Sequence, residues 1–214
     1  MIIGLVGLKG SGKDTAGNYI SEKYSFQKDS FASTLKDIVS CMFGWDREML
    51  EGETPESRKA REEIDEWWSD QLGMQWTPRY ALQYIGTDIL RQKFFDAIWV
   101  KSLEKRVLEN LDKNLVITDI RFPNELSTLS LYPFVSIRII RGDLPEWYSV
   151  ACKANSGDEE AMQIMKTKYK DVHASEYALA GHDTDYTIYN NGSLEDLYRS
   201  IDNIMVTILS DTHK

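Results

Sequence analysis

The apolar positions of the chain fall into short solid runs separated by longer stretches of helical spacing. Ile2, Ile3, Leu5 and Val6 form an almost unbroken apolar run, the pattern of a strand covered on both faces and therefore central in a parallel sheet. Gly7 to Gly12 is rich in glycine, and Lys13 to Lys23 carries Ala16, Tyr19 and Ile20 at helix-compatible spacing. The order is strand, loop, helix. A second short strand is predicted around Phe26 to Phe31, leading into an amphipathic helix through Leu35, Ile38, Val39, Met42 and Phe43 that Gly44 ends. Residues 46–76 are charged, contain no apolar strand, and read as an inserted helical excursion that includes the pair Trp67 and Trp68.

Thr77 followed by Pro78 is a strong helix start, a capping hydroxyl before a proline at the first helical position. Helix is predicted from there to Asn110, with weak points near Gly86 and Phe95. Leu115 to Thr118 is a short buried strand that stops at Asp119; Val135 to Ile140 and Asp185 to Tyr189 supply two more. Ser193 with Asp196 three residues on forms a capping-box variant that opens a last amphipathic helix through Leu197, Ile201, Ile204, Met205 and Ile208. The polar stretch from Gly142 to Thr184 reads as a mobile excursion. Five strands alternating with helices predict a three-layer α/β domain around a five-stranded parallel sheet.

Composition narrows the function without naming it. With 42% hydrophobic and 28% charged residues in 214, disorder, collagen and coiled coil are excluded. The formal charge of −9 is the wrong sign for a protein that coats nucleic acid, so direct nucleic-acid binding is not expected and any anion must be met locally. Cys41 and Cys152 have no metal-ligand spacing, which points to a reducing, cytoplasmic setting, and no apolar run reaches the ~20 residues of a membrane span. His173, His182 and His213 lack a nucleophile elbow, so a hydrolase triad has no support.

The informative chemistry lies between the first strand and the first helix. Gly7 to Lys13 matches G-x-x-x-x-G-K, in which glycines let backbone N–H groups turn toward phosphate oxygens, the helix start adds positive potential and the lysine brings a mobile cation. Gly10, Ser11, Gly12 and Lys13 form the expected cradle. The position after the lysine, where the pattern has Ser or Thr for Mg²⁺, is Asp14, and the hydroxyl follows one residue later as Thr15. Asp14, Thr15 and Asp119, the latter at the carboxyl end of a strand, are the candidate metal-sphere residues. Arg121 lies on the same edge, and Arg79, Arg91, Arg138 and Arg141 are further candidate phosphate-binding cations. Among the aromatic residues Trp99 is the candidate for stacking a base, whereas the Trp67 and Trp68 pair suits burial in a homodimer or within the fold.

Together these motifs are a resemblance. GLKGSGKDT, LQYIGTDILRQKFFDAIWVKSL, ITDIRFPNE, RIIRGD, HASE and DYTIYNNGSLEDLYRSI, in that order from residue 4 to about 204, resemble the bacteriophage deoxynucleoside monophosphate kinases. The resemblance implies a single P-loop nucleotide-kinase domain over residues 1–214, with a helical monophosphate-binding insertion at about 32–100 and a lid at about 142–184. It implies ATP and Mg²⁺, a deoxynucleoside monophosphate acceptor, and transfer of the γ-phosphoryl group. Carried over onto this sequence, Gly10, Gly12, Lys13, Asp14 and Thr15 meet the ATP phosphates, and Lys9 and Lys36 face the monophosphate. Gln83, Gly86, Thr87, Arg91 and Trp99 would enclose the deoxynucleoside; Asp119, Arg121 and Glu125 would form or shape the reaction centre. Arg141 opens the lid, and Asn190, Asn191 and Gly192 would line the adenine end, as a similar loop does in dephospho-coenzyme A kinases. Two alternatives stay open: another small P-loop kinase such as dephospho-coenzyme A kinase, and a non-enzymatic ATP-binding switch.

Overall fold

The computed structural model describes residues 1–211, so His213 lies outside the described residues. The chain divides into two compact units, residues 1–30 with 110–214 and residues 31–109. In chain order the elements begin with β1 (Ile2–Val6), α1 (Lys13–Tyr24) and β2 (Gln27–Asp29). The second unit then contributes α2 (Ser33–Phe43), α3 (Arg47–Glu51), α4 (Pro55–Ala60), α5 (Glu66–Leu72), α6 (Pro78–Gln83), a π-helix (Tyr84–Phe94) and α7 (Ile98–Glu109). The first unit resumes with β3 (Leu115–Ile117), α8 (Pro123–Leu129), β4 (Phe134–Ile140), α9 (Glu146–Asn155), α10 (Glu159–Thr167), α11 (Ala174–Tyr177), β5 (Tyr186–Tyr189) and α12 (Leu194–Asp211).

The five strands form one sheet in the order β2-β3-β1-β4-β5, with every pairing parallel. β1 is central and all five of its residues are buried, as the unbroken apolar run requires. Ile2 pairs with Leu115 on one side and Phe134 on the other, so the chain order reverses around β1. That reversal opens a crevice beyond the carboxyl end of β1, the usual ligand position of a doubly wound sheet. The glycine-rich turn occupies it.

The core explains the patterning. Ala16 and Ile20 of α1 and Leu197, Ile201, Met205 and Ile208 of α12 pack with Ile3, Leu5, Val116, Ile137, Ile139 and Ile188. Burying a side chain of this size is worth about 1.5–3 kcal/mol relative to exposure, which is why one apolar stripe per helix is enough to fix both. The start of α12 is held as its sequence predicts: Ser193 N–H donates to Asp196 Oδ2 at 3.0 Å, and Asp196 N–H to Ser193 Oγ at 3.2 Å.

Two segments differ from their sequence patterns. The helix through Tyr84–Phe94 is wound as a π-helix, ending at Phe95, whose N–H donates to Leu90 O at 2.9 Å. The stretch 142–184 looked merely polar, yet it carries α9, α10 and α11 around a small core of Ala151, Ala154, Ala161, Met165 and Ala180. Buried alanines, covered by Trp147, Tyr148, Tyr169 and Tyr177, make up most of this core, and alanines carry little weight in an apolar pattern. No described helix is long and apolar enough to cross a membrane.

Candidate functional site: a phosphate cradle at the sheet edge

β1 delivers the chain into the turn, and α1 starts at Lys13, so the loop between them is fixed at both ends. Gly12, just before the helix, has φ +103°, and a Cβ there would lie 2.5 Å from Asn190 Nδ2. Only glycine is free of both penalties. Gly7 is pressed against β4, where a Cβ would stand 2.4 Å from Ile139 O.

Lys13 is buried and folds back over the loop, its Nζ donating to Gly7 O at 2.7 Å and Leu8 O at 2.9 Å. Burial first, and the charge of Arg121 second, push the Lys13 ammonium down to about 8 from 10.5, while Asp14, Glu176 and Asp119 pull it back up. Those four charged groups therefore surround one ammonium. Ser11 Oγ is buried with no hydrogen-bond partner among the described residues. A buried hydroxyl without a partner inside a glycine loop is a donor in need of an acceptor, and a phosphate oxygen fits that need.

Beside the loop lies a cavity of about 220 Å³ lined by Lys9, Gly10, Ser11, Arg121, Arg141 and Glu176, with Leu144, Pro145 and Tyr148 on its apolar wall. Lys9 and Arg141 are exposed and have no ion-pair partner among the described residues. Arg121 Nη1 pairs with Glu176 Oε1 at 3.4 Å. Asp14 and Thr15 are exposed on the first turn of α1, and Asp119 is half-buried just past β3. Among the described residues no group of three His, Cys, Asp or Glu side chains gathers to hold a metal.

Several expected substrate contacts have other work. Glu125 is 3% exposed, and its Oε2 accepts Arg121 N–H at 2.6 Å and Phe122 N–H at 3.0 Å, so it shapes the turn after β3 rather than contacting substrate. Asn190 Nδ2 donates to Ser11 O at 2.9 Å and buttresses the cradle. Asn191 Oδ1 accepts Gly142 N–H at 2.7 Å. Arg138 is not an available phosphate cation, because its Nη2 donates to Leu179 O at 3.1 Å and His182 O at 2.7 Å, tying β4 to the segment after it. Trp99 is not a base platform either. It is buried, and Nε1 donates to Gly86 O at 3.0 Å, pinning α7 to the π-helix.

The second unit treats its cations differently. Lys36 Nζ meets Glu51 Oε2 at 2.5 Å, so it is not a free monophosphate cation; Arg47 also pairs with Glu51 and, at 2.6 Å, with Asp37. Burial pushes the Glu51 carboxyl up, but Lys36 and Arg47 outweigh it and hold it below the ordinary carboxylate value. Arg79 pairs with Glu62 at 3.0 Å and Arg91 approaches Asp96 at 3.7 Å. Gln83 is exposed at the end of α6, and Thr87 is half-buried in the π-helix with buried Gly86 beside it. Phe43, Trp45, Trp68 and Trp76 form an aromatic cluster, with Trp68 Nε1 donating to Phe43 O at 3.1 Å, whereas Trp67 is 61% exposed. Thus Trp68 is half-buried and packed within the unit. Two residues of consequence had no assigned role in the sequence: Glu176, signalled only by the HASE stretch, and Arg61, whose Nε is buried without a partner.

A five-stranded parallel sheet with a lysine-closed glycine turn at its central strand defines a P-loop α/β fold. The chain is similar along nearly its whole length to proteins of one kind. It is 29% identical over 217 residues to the "Putative deoxynucleotide monophosphate kinase" of Acanthamoeba polyphaga mimivirus, covering 94% of each chain. It is 23% identical to the deoxynucleotide monophosphate kinase of Escherichia phage RB69, covering 95% of this chain and 99% of that one. With the deoxynucleoside-5′-monophosphate kinase of Escherichia phage T5 it shares 26% over 180 residues, 58% of this chain and 70% of that one. Among solved structures, shikimate kinase from Aquifex aeolicus aligns with a TM-score of 0.45 at 12% identity over 99% of this chain and 98% of that one. Dephospho-CoA kinase from Campylobacter jejuni gives 0.39 at 13% over 97% and 96%. No family model matches the chain.

Proposed function

We propose that the chain is an ATP-dependent deoxynucleoside monophosphate kinase, which passes the γ-phosphoryl group of ATP to the 5′-phosphate of a deoxynucleoside monophosphate and releases ADP and the deoxynucleoside diphosphate. The observation that carries this reading is the cradle itself: a buried lysine closing on Gly7 and Leu8 carbonyls beside an unpartnered Ser11 hydroxyl, at the switch point of a parallel sheet. The names of the full-length relatives support the choice of acceptor.

Both reactants are polyanions, and the attacking phosphate oxygen is already ionised, so no protein base is needed. Catalysis then rests on placement and on cations aimed at the charge that spreads over the transferred group. Lys13 exchanges its two carbonyl partners for phosphate oxygens, and the turn N–H groups and the α1 start hold the rest of the triphosphate. Arg121 and Arg141, which line the same cavity, meet the developing charge. Asp14, Thr15 and Asp119 would offer hard oxygens to Mg²⁺, which would supply neutralisation of phosphate charge. Gln83, Gly86, Thr87 and Arg91 are the acceptor-contacting candidates, in a helical insertion at about 32–100, and the segment at about 142–184 serves as a lid that excludes water.

A coupled assay of ADP release tests this with each deoxynucleoside monophosphate and its ribonucleoside counterpart as acceptor. The expected result is turnover that depends on acceptor and prefers deoxyribose. ADP release at one slow rate whatever acceptor is added overturns the kinase reading in favour of an ATP-binding switch.

A further inference from the structure

The cavity beside the phosphate loop contains an element of the wrong sign. Glu176, on the four-residue helix α11, lines it and places Oε1 3.4 Å from Arg121 Nη1. The contact is single and long, and the two side chains are 28% and 31% exposed, so the pair is weak by itself. A phosphate can offer the same guanidinium two short parallel hydrogen bonds. The Arg121 main chain is held separately, its N–H donating to Glu125 Oε2 at 2.6 Å. Lys13 is in a similar condition, with its ammonium resting on the Gly7 and Leu8 carbonyls. Lys13 and Arg121 are thus both engaged by internal acceptors.

We infer that Glu176 is a stand-in anion that occupies Arg121 until a phosphate group displaces it, and so sets the affinity of the site for polyphosphate. The inference rests on the proposed reading of the cavity as a phosphate site. Displacement has two consequences. The incoming phosphate must compete for Arg121 and must also tolerate a neighbouring carboxylate, which weakens binding. Once the pair is broken, α11 loses a tie to the turn after β3, so occupation of the loop is reported to the helical segment 142–184 through one side chain. Glu176 acts through Arg121 and is a positioning residue, not a catalytic one.

The test is calorimetric titration of the full chain with inorganic tripolyphosphate and with ATP, comparing the wild type, Glu176→Gln and Glu176→Ala, together with steady-state kinetics. Both variants are expected to bind both probes roughly three- to tenfold more tightly, by loss of a competing ion pair and of like-charge repulsion. The Michaelis constant for ATP should fall in step while kcat stays within about twofold. In an Arg121→Ala background the Glu176→Gln gain should shrink. A gain of affinity is a readout that a damaged fold cannot produce. Equal or weaker binding in both variants overturns the inference while leaving the kinase reading intact. If the wild type binds neither tripolyphosphate nor ATP, the phosphate reading of the cavity fails and the inference goes with it.

Discussion

The two units handle positive charge in opposite ways. In residues 31–109 nearly every cation of the candidate site is matched by a carboxylate: Lys36 with Glu51, Arg47 with Glu51 and Asp37, Arg79 with Glu62. At the glycine turn Lys13 has only carbonyl oxygens, and Lys9 and Arg141 have no ion-pair partner among the described residues. A cation closely paired with a carboxylate gains little from a phosphate, because the exchange is nearly even, whereas the single 3.4 Å contact of Arg121 with Glu176 leaves room for a better acceptor. A cation held by neutral dipoles gains much more. The difference separates cations that hold the protein together from cations kept for a ligand, a distinction that residue type alone does not reveal.

The largest effect that could break this contrast comes from Lys13. Lys13→Ala should lower kcat by about a hundred- to a thousandfold, the loss typical of one donor aimed at developing charge, with circular dichroism and thermal unfolding showing a folded chain. Near-normal turnover would place the chemistry elsewhere. Next is the buttress. Asn190→Ala removes the buried hydrogen bond to Ser11 O and is expected to cost about 1–3 kcal/mol of stability and to raise the Michaelis constant for ATP several-fold, read by denaturant melts and kinetics. An unchanged constant would show that the turn keeps its shape unaided.

A smaller effect tests the other side of the comparison. Glu51→Gln frees Lys36 and Arg47 from their shared carboxylate and should change stability by only about 0.5–1 kcal/mol, since the groups are partly exposed, while ATP titrations give the wild-type affinity. A marked loss of ATP binding would mean that these pairs serve more than the helical unit. The subtlest test uses pH. Lys13 titrates at about 8 in the folded chain and at 10.5 as a free side chain. Between those values the unfolded chain holds a proton that the folded chain has released, so this residue makes stability rise with pH across that window. Phosphate binding restores the charged form. Titrations near pH 8 in buffers of different ionisation enthalpy should therefore show proton uptake, and Lys13→Met should abolish it.

What could be read from the sequence follows the range of the interactions. β1, the glycine turn and α1 are contiguous, so the run of Ile2 to Val6 and the spacing of Gly7 to Lys13 carry their own geometry. The start of α12 was legible for the same reason, with Ser193 and Asp196 three residues apart. Asn190, Arg138 and Trp99 bond backbone groups whose proximity only the folded chain creates; the partner of Asn190 lies 179 residues away. A polar residue in a suggestive motif looks the same whether it faces a ligand or a peptide group. The π-helix was hidden because a change from i→i+4 to i→i+5 bonding leaves little mark on apolar spacing over 11 residues. The pairing of Lys36 with Glu51 spans a turn between two helices, and no local rule brings those residues together.

The position of β1 in the sheet also constrains how the protein is made. Its neighbours are residues 115–117 and 134–138, so β1 must wait, unpaired and apolar, until residues about a hundred positions further along have been synthesised. Nascent chains halted before that point would expose a sticky edge. Asn190 extends the delay, because the turn gains this support only once a residue 179 positions further along has emerged. Nucleotide would thus reach a finished receptacle late in biogenesis, and fragments lacking the final strand should be clients of chaperones rather than weak versions of the protein.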